Sequence, residues 1–163
     1  MRPKAVVFDL YCTLVDDSGV EGERERYVQE SIYTLLEKNL YPVKHKDVVE
    51  AYREMKETME EHHKRQVAYG VFSQVKFLAD KLHVNDHVLL HKMFDIYATA
   101  VLHLSPRFVP HALEALDLLK EHGIKTGLIS NTGVTPGFAL RLWLAEKKLS
   151  DHFHSMLFSD EVG

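Results

Sequence analysis

The chain has 163 residues, 45% hydrophobic and 27% charged, with a formal net charge of −4. That composition suits a globular protein of one domain, or one domain carrying an insertion. It contains no basic run long enough for nucleic acid and no apolar run long enough for a membrane span. The first apolar strand begins too near the amino terminus for a signal peptide, and the single cysteine excludes an internal disulfide, which suits a cytoplasmic location.

In chain order, residues 4–8 come first. Ala5, Val6, Val7 and Phe8 are consecutive apolar residues and read as a fully buried strand. Asp9 stands at its carboxyl end, where open α/β sheets place their ligands. A carboxylate cannot be buried ionised and unpaired, so it needs hydrogen-bond donors, a cation or a reacting substrate. A plain turn-capping role is the alternative, because Asp is common where strands end. Residues 9–22 read as a loop rich in Asp, Ser and Gly.

Four amphipathic helices follow. Val28, Ile32, Leu35 and Leu36 line the first, and Tyr41-Pro42 breaks it. Val48, Tyr52, Met55 and Met59 line the second. After Gly70, Val71, Val75, Leu78 and Leu82 line the third, and Leu90, Phe94, Tyr97 and Val101 the fourth. Short connections between them predict a helical bundle over residues 19–105.

Pro106 and Pro110 punctuate a return to mixed order. Leu113, Leu116 and Leu119 mark a helix ended by Gly123, and residues 125–130 read as a strand. Thr135 suits a helix cap with Pro136 at the first helical position, and Phe138, Leu142 and Trp143 lie on the helix that follows. Residues 155–159 read as a third strand. Helices between strands imply parallel pairing, so the plan is an α/β core over residues 1–18 and 106–163 with the bundle inserted. Of the eleven histidines, His87 and His91 have a spacing that zinc ligands use, but without an adjacent glutamate they read as solvated side chains.

The string Asp9-Leu10-Tyr11-Cys12-Thr13-Leu14 after one strand, and Ser130-Asn131-Thr132-Gly133 closing the next, resemble the first and second motifs of the haloacid dehalogenase-like (HAD) superfamily of aspartate-nucleophile hydrolases. The inserted helical bundle is similar to the cap many members carry at that point. The resemblance implies a Rossmann-like parallel sheet with Asp9 as the nucleophile, forming an ester that water then cleaves. It also implies that Thr13 shapes the loop, that Ser130 binds a phosphoryl or carboxylate oxygen of the substrate, and that Asn131 adds donors. The plain alternatives are a turn threonine, a strand-end serine and an Asn-Thr-Gly turn.

Tyr11 departs from the phosphatase pattern, which has a second aspartate there as general acid and base. Loss of such a group costs an alkoxide-leaving reaction roughly 10²–10⁴-fold, whereas a halide leaves without a proton. Tyrosine at this position is typical of the 2-haloacid dehalogenase branch. Cys12 replaces that branch's glycine and reads as a small buried residue. The branch also uses a cap arginine, for which Arg24, Arg26, Arg53, Arg65 and Arg107 are the candidates.

The implied substrate is a small organic anion, either a phosphate monoester or a 2-haloacid. Magnesium, held in part by Asp9, is implied for the first and no cofactor for the second. The family's third motif, a lysine soon after the third strand, has no match before Gly163, since Lys147 and Lys148 precede that strand. The expectation is therefore a truncated HAD core, weak or inactive in isolation, with Ala5–Phe8 as an uncovered sheet edge inviting a homo-oligomer. The alternative is a scaffold without catalysis that binds a partner or small anion.

Overall fold

The computed structural model describes residues 3–162, which fall into two compact units. One comprises the chain up to Gly22 together with the chain from Val101 onward; the other is Glu23–Ala100. The first contains all the strands: β1 (Ala5–Phe8), β2 (Val15–Asp16), β3 (Arg107–Phe108), β4 (Lys125–Ser130) and β5 (Ser155–Phe158). β1, β4 and β5 form a parallel sheet in the order β1-β4-β5, with Phe8 opposite Leu128 and Leu128 opposite Met156. β2 and β3 pair antiparallel, Val15 opposite Phe108. The expected loop over residues 9–22 thus contains a strand, one too short to show the alternation by which strands are recognised.

The pleat divides the sheet into two unlike faces. Leu128, Ser130 and Phe158 lie on one face and are buried. On the other, Val7 is 60% exposed, Ile129 53% and Leu157 44%. The expectation that β1 is fully buried is therefore corrected. Its apolar residues on both faces carry the signature of a parallel strand covered twice, but among the described residues only one face is covered.

The second unit is a bundle of α1 (Glu21–Lys38), α2 (His45–Lys64), α3 (Val71–Lys81) and α4 (His87–Ala98). Val28, Ile32, Leu36, Val48, Tyr52, Met55, Val75 and Leu78 are buried as their spacing predicts. In α4 the buried stripe is Leu89, Met93 and Tyr97; Tyr97 and, beyond the helix, Val101 are buried as expected, whereas Leu90 and Phe94 are half-buried and their preceding neighbours take the interior. Two adjacent apolar stripes on one helix are equivalent by periodicity alone, and packing chooses between them. The Tyr97 hydroxyl donates to Gln74 Oε1 at 2.6 Å, and Gln74 Nε2 donates to the Tyr69 carbonyl at 2.7 Å, so these interior polar groups are satisfied. Burial pushes the Tyr97 phenol well above its usual pKa.

The short α5 (Ala100–His103) leads back to the sheet unit, which adds α6 (Ala112–Glu121), α7 (Gly137–Glu146) and α8 (Ser159–Val162). Leu116, Leu140, Trp143 and Leu144 pack with Leu10, Leu14, Leu128 and Phe158 in one core, and Trp143 stacks on Phe108 at 5.9 Å. Two expectations are corrected in this region, the cap of α7 and the end of β5. Pro136, not Thr135, is the cap residue of α7, and it supplies no side-chain cap. Phe138, Leu142 and Trp143 lie on α7 as expected, with Leu140, Trp143 and Leu144 buried and Phe138 and Leu142 exposed. Ser159 begins α8 instead of ending β5.

The turn after β1 closes through Leu14 and Val15 N–H groups donating to the Leu10 carbonyl at 2.9 and 3.0 Å, and Cys12 N–H donating to Val15 at 2.8 Å. Cys12 sits at φ 59° and is exposed, which corrects its reading as a small buried residue. The turn demands left-handed backbone there, a conformation glycine adopts without penalty.

The unlike faces predict unlike mutational costs. Leu128→Ala is expected to lower stability by about 2–5 kcal/mol, and its neighbour Ile129→Thr by no more than about 0.5 kcal/mol, in urea unfolding followed by far-ultraviolet circular dichroism. In the turn, relief of a left-handed Cβ residue (about 1–2 kcal/mol) outweighs the added chain entropy of glycine (about 0.5–1 kcal/mol). Cys12→Gly is therefore expected to raise the unfolding midpoint, and Cys12→Val to lower it.

Candidate functional site

Parallel pairing brings the carboxyl ends of β1 and β4 side by side, because Phe8 lies opposite Leu128. Asp9 is the first residue beyond β1, and Ser130 is the last of β4. Both expected residues therefore emerge at the same end of neighbouring strands, the position at which α/β sheets bind ligands. The Asp9 carboxylate is exposed, and its Oδ1 accepts the Leu10 N–H at 2.7 Å. Oδ2 has no hydrogen-bond partner among the described residues. Ser130 is 2% exposed, and its hydroxyl donates to the Asn131 carbonyl at 3.3 Å, a long bond that leaves the oxygen able to take a better partner.

The remaining expected residues sit on the two segments leaving these strands. Tyr11 is half-buried, packs against the core and bridges to Val15, while Thr13 is exposed on the turn. Asn131 is exposed at the start of the loop after β4. Further along the first segment, Asp16 accepts the Ser18 N–H at 3.0 Å. That bond, with Arg107 nearby, holds its carboxyl below the usual carboxylate range.

The candidate arginines separate by environment. Arg53 is committed to Glu50 and Glu57, Arg26 and Arg65 are exposed, Arg24 is buried on α1, and Arg107 lies opposite Asp16 in the β2–β3 pair. His87 and His91 are both exposed.

Asp9 supplies one carboxylate to the strand tips, Tyr11 stands where a second would be, and no group of three His, Cys, Asp or Glu side chains among the described residues could hold a metal ion. Magnesium commonly keeps several waters and takes only one or two carboxylates, and Asp9 is the residue at the β1 tip that could contribute one.

Sequence reasoning passed over Ser159. It follows β5 as Asn131 follows β4, and its Oγ accepts the Thr132 N–H at 2.9 Å. A hydroxyl residue at the end of a third parallel strand was the available signal, hidden because residue 159 reads equally well as strand.

No helix among the described residues is long and apolar enough to cross a membrane. The chain is similar in fold to a HAD-hydrolase of Bacillus subtilis, YfnB, bound to magnesium. Identity is 13% over 100% of this chain and 66% of that one, with a TM-score of 0.57. It also resembles a Thermotoga maritima chain assigned as a beta-phosphoglucomutase, at 21% identity over 98% and 62%, with a TM-score of 0.53. An L-2-haloacid dehalogenase of Xanthobacter autotrophicus with chloropropionic acid covalently bound gives 23% identity over 98% and 58%, with a TM-score of 0.49. The chain thus spans 58–66% of the length of these three structures. None of the curated protein sequences compared with it matches. The family model for haloacid dehalogenase-like hydrolases matches residues 3–163, so that both motif-bearing strands and the helical bundle between them fall within it, and the chain belongs to that family.

Proposed function

We propose that Asp9 is the nucleophile of a hydrolase acting on a small organic anion, a 2-haloacid in the first place. The observation that supports this reading is the exposed Asp9 carboxylate at the β1 tip, at the same end of the parallel sheet as Ser130, the last residue of β4. An Asp9 oxygen attacks the carbon bearing the halogen, a carbon–oxygen bond forms, and the carbon–halogen bond breaks with its electron pair leaving on the halide. Water then adds to the ester carbonyl, releasing the hydroxy acid and restoring the carboxylate. Ser130 and Asn131 would hold the substrate's carboxylate through hydrogen bonds, and Thr13 would keep the nucleophile's loop in shape. Residues 23–100 would act as the cap.

Tyr11 favours the 2-haloacid over the phosphate monoester. A phosphate monoester leaves as an alkoxide that needs a proton, and a phenol is a far weaker acid than the carboxyl group it replaces. A halide needs no such donor.

Incubation with 2-chloropropionate is expected to release chloride, and Asp9→Asn to reduce that release by at least roughly 10³-fold, measured by ion chromatography. Release is expected to persist in EDTA. Chelator-sensitive phosphate release from p-nitrophenyl phosphate instead would assign the monoester class. Release of neither ion fits the weak or inactive chain expected from its sequence as well as the non-catalytic scaffold, and 2-chloropropionate binding that Asp9→Asn leaves unchanged would favour the scaffold.

A further inference from the structure

The loop at residues 131–136 leaves β4 just beyond Ser130 and must turn back into α7. Both of its ends are tied to residues that follow β5. At the near end, Thr132 N–H donates to Ser159 Oγ at 2.9 Å, and the Thr132 and Ser159 hydroxyls lie 3.0 Å apart. At the far end, Gly137 N–H donates to both carboxylate oxygens of Asp160, at 3.1 and 3.0 Å. Pro136 offers α7 no side-chain cap, so the Asp160 carboxylate supplies from a distance the acceptor and the negative charge that a helix start attracts.

The fit leaves no room for another residue at 137. A Cβ there would lie 2.7 Å from Phe158 Cβ, 2.7 Å from Glu161 Oε1 and 2.9 Å from Asp160 Oδ1. One turn on, Arg141 pairs with Glu161 through Nη2 at 2.6 Å and donates to the Met156 carbonyl at 2.9 Å. Three consecutive residues, 159, 160 and 161, therefore grip the loop and the helix behind it.

We infer that Ser159 and Asp160 are positioning residues: they pin both ends of the 131–136 loop and so set the aim of Ser130 and Asn131, an inference that rests on the functional reading above. Asp160 also places a negative charge on the α7 amino terminus, so the substrate anion is received by the loop and not by that helix end. Neither residue touches the reacting atoms.

The test compares Asp160→Ala, Asp160→Asn and Ser159→Ala in the full chain by amide hydrogen exchange and by steady-state kinetics with 2-chloropropionate. Asp160→Ala is expected to speed exchange at Gly137 at least tenfold and to raise KM about tenfold with kcat within threefold. Asp160→Asn keeps an oxygen acceptor and is expected to recover most of both. Ser159→Ala is expected to speed exchange at Thr132 with a smaller rise in KM.

Unchanged exchange at Thr132 and Gly137 in both alanine variants would overturn the inference. So would exchange that rises uniformly through β4 and β5 with kcat falling, the mark of a merely structural role. If Asp160→Ala does not fold, Ser159→Ala and Asp160→Asn carry the same two readouts. If the wild-type chain turns over no substrate, exchange at Thr132 and Gly137 alone decides the clamp.

Discussion

Hydrogen-bonded pairing between β1 and β4 is the constraint from which the site follows. The two strands are remote in sequence, yet their parallel register, Ala5 opposite Lys125 through Phe8 opposite Leu128, fixes which residues leave the sheet together. A slip of one residue would send every side chain to the other face, exchanging buried Leu128 for exposed Ile129 and drawing Ser130 away from its place. The core formed by Leu10, Leu116, Leu128, Trp143 and Phe158 holds the register. The chemistry assigned to Asp9 and Ser130 is thus secured by apolar residues that take no part in it.

Support around the two strand tips differs in kind. The turn carrying Asp9 is closed by backbone bonds to the Leu10 carbonyl and accepts a left-handed Cys12 where glycine would be relaxed. The loop carrying Asn131 is held by side chains from beyond β5, with Gly137 giving way so that Asp160 can approach. One tip rests on local backbone geometry, the other on contacts spanning more than twenty residues. Local support of the first kind can be read from a short motif, whereas support of the second kind exists only once β5 has docked.

That difference explains what was legible in the sequence. The run Ala5–Phe8 and the strand Lys125–Ser130 were readable because four to six apolar or β-forming residues end at polar ones, and the helices between them fixed parallel pairing. The positions of Asp9 and Ser130 followed directly. The exposure of Val7 did not, because a strand covered on one face and a strand covered on both can carry the same residues. In α4, Leu89 and Met93 take the interior places expected of Leu90 and Phe94, because Leu89-Leu90 and Met93-Phe94 offer two equivalent choices, while Tyr97 lies where its spacing put it. Thr135 looked like a cap because local chemistry favoured it, and a carboxylate 23 residues from Gly137 took that role.

β1 also has a mechanical asymmetry. The Lys4 carbonyl accepts the Lys125 N–H at 3.3 Å, and by alternation Val6 and Phe8 turn their peptide groups towards β4 while Ala5 and Val7 turn theirs away. Among the described residues no strand lies along that outer rim. A ribbon fastened along one seam frays before its neighbours, and this one ends in the carboxylate proposed to attack the substrate. The reach of Asp9 therefore tracks how firmly the free rim is held, and any backbone that zips onto the rim stiffens this residue without touching it.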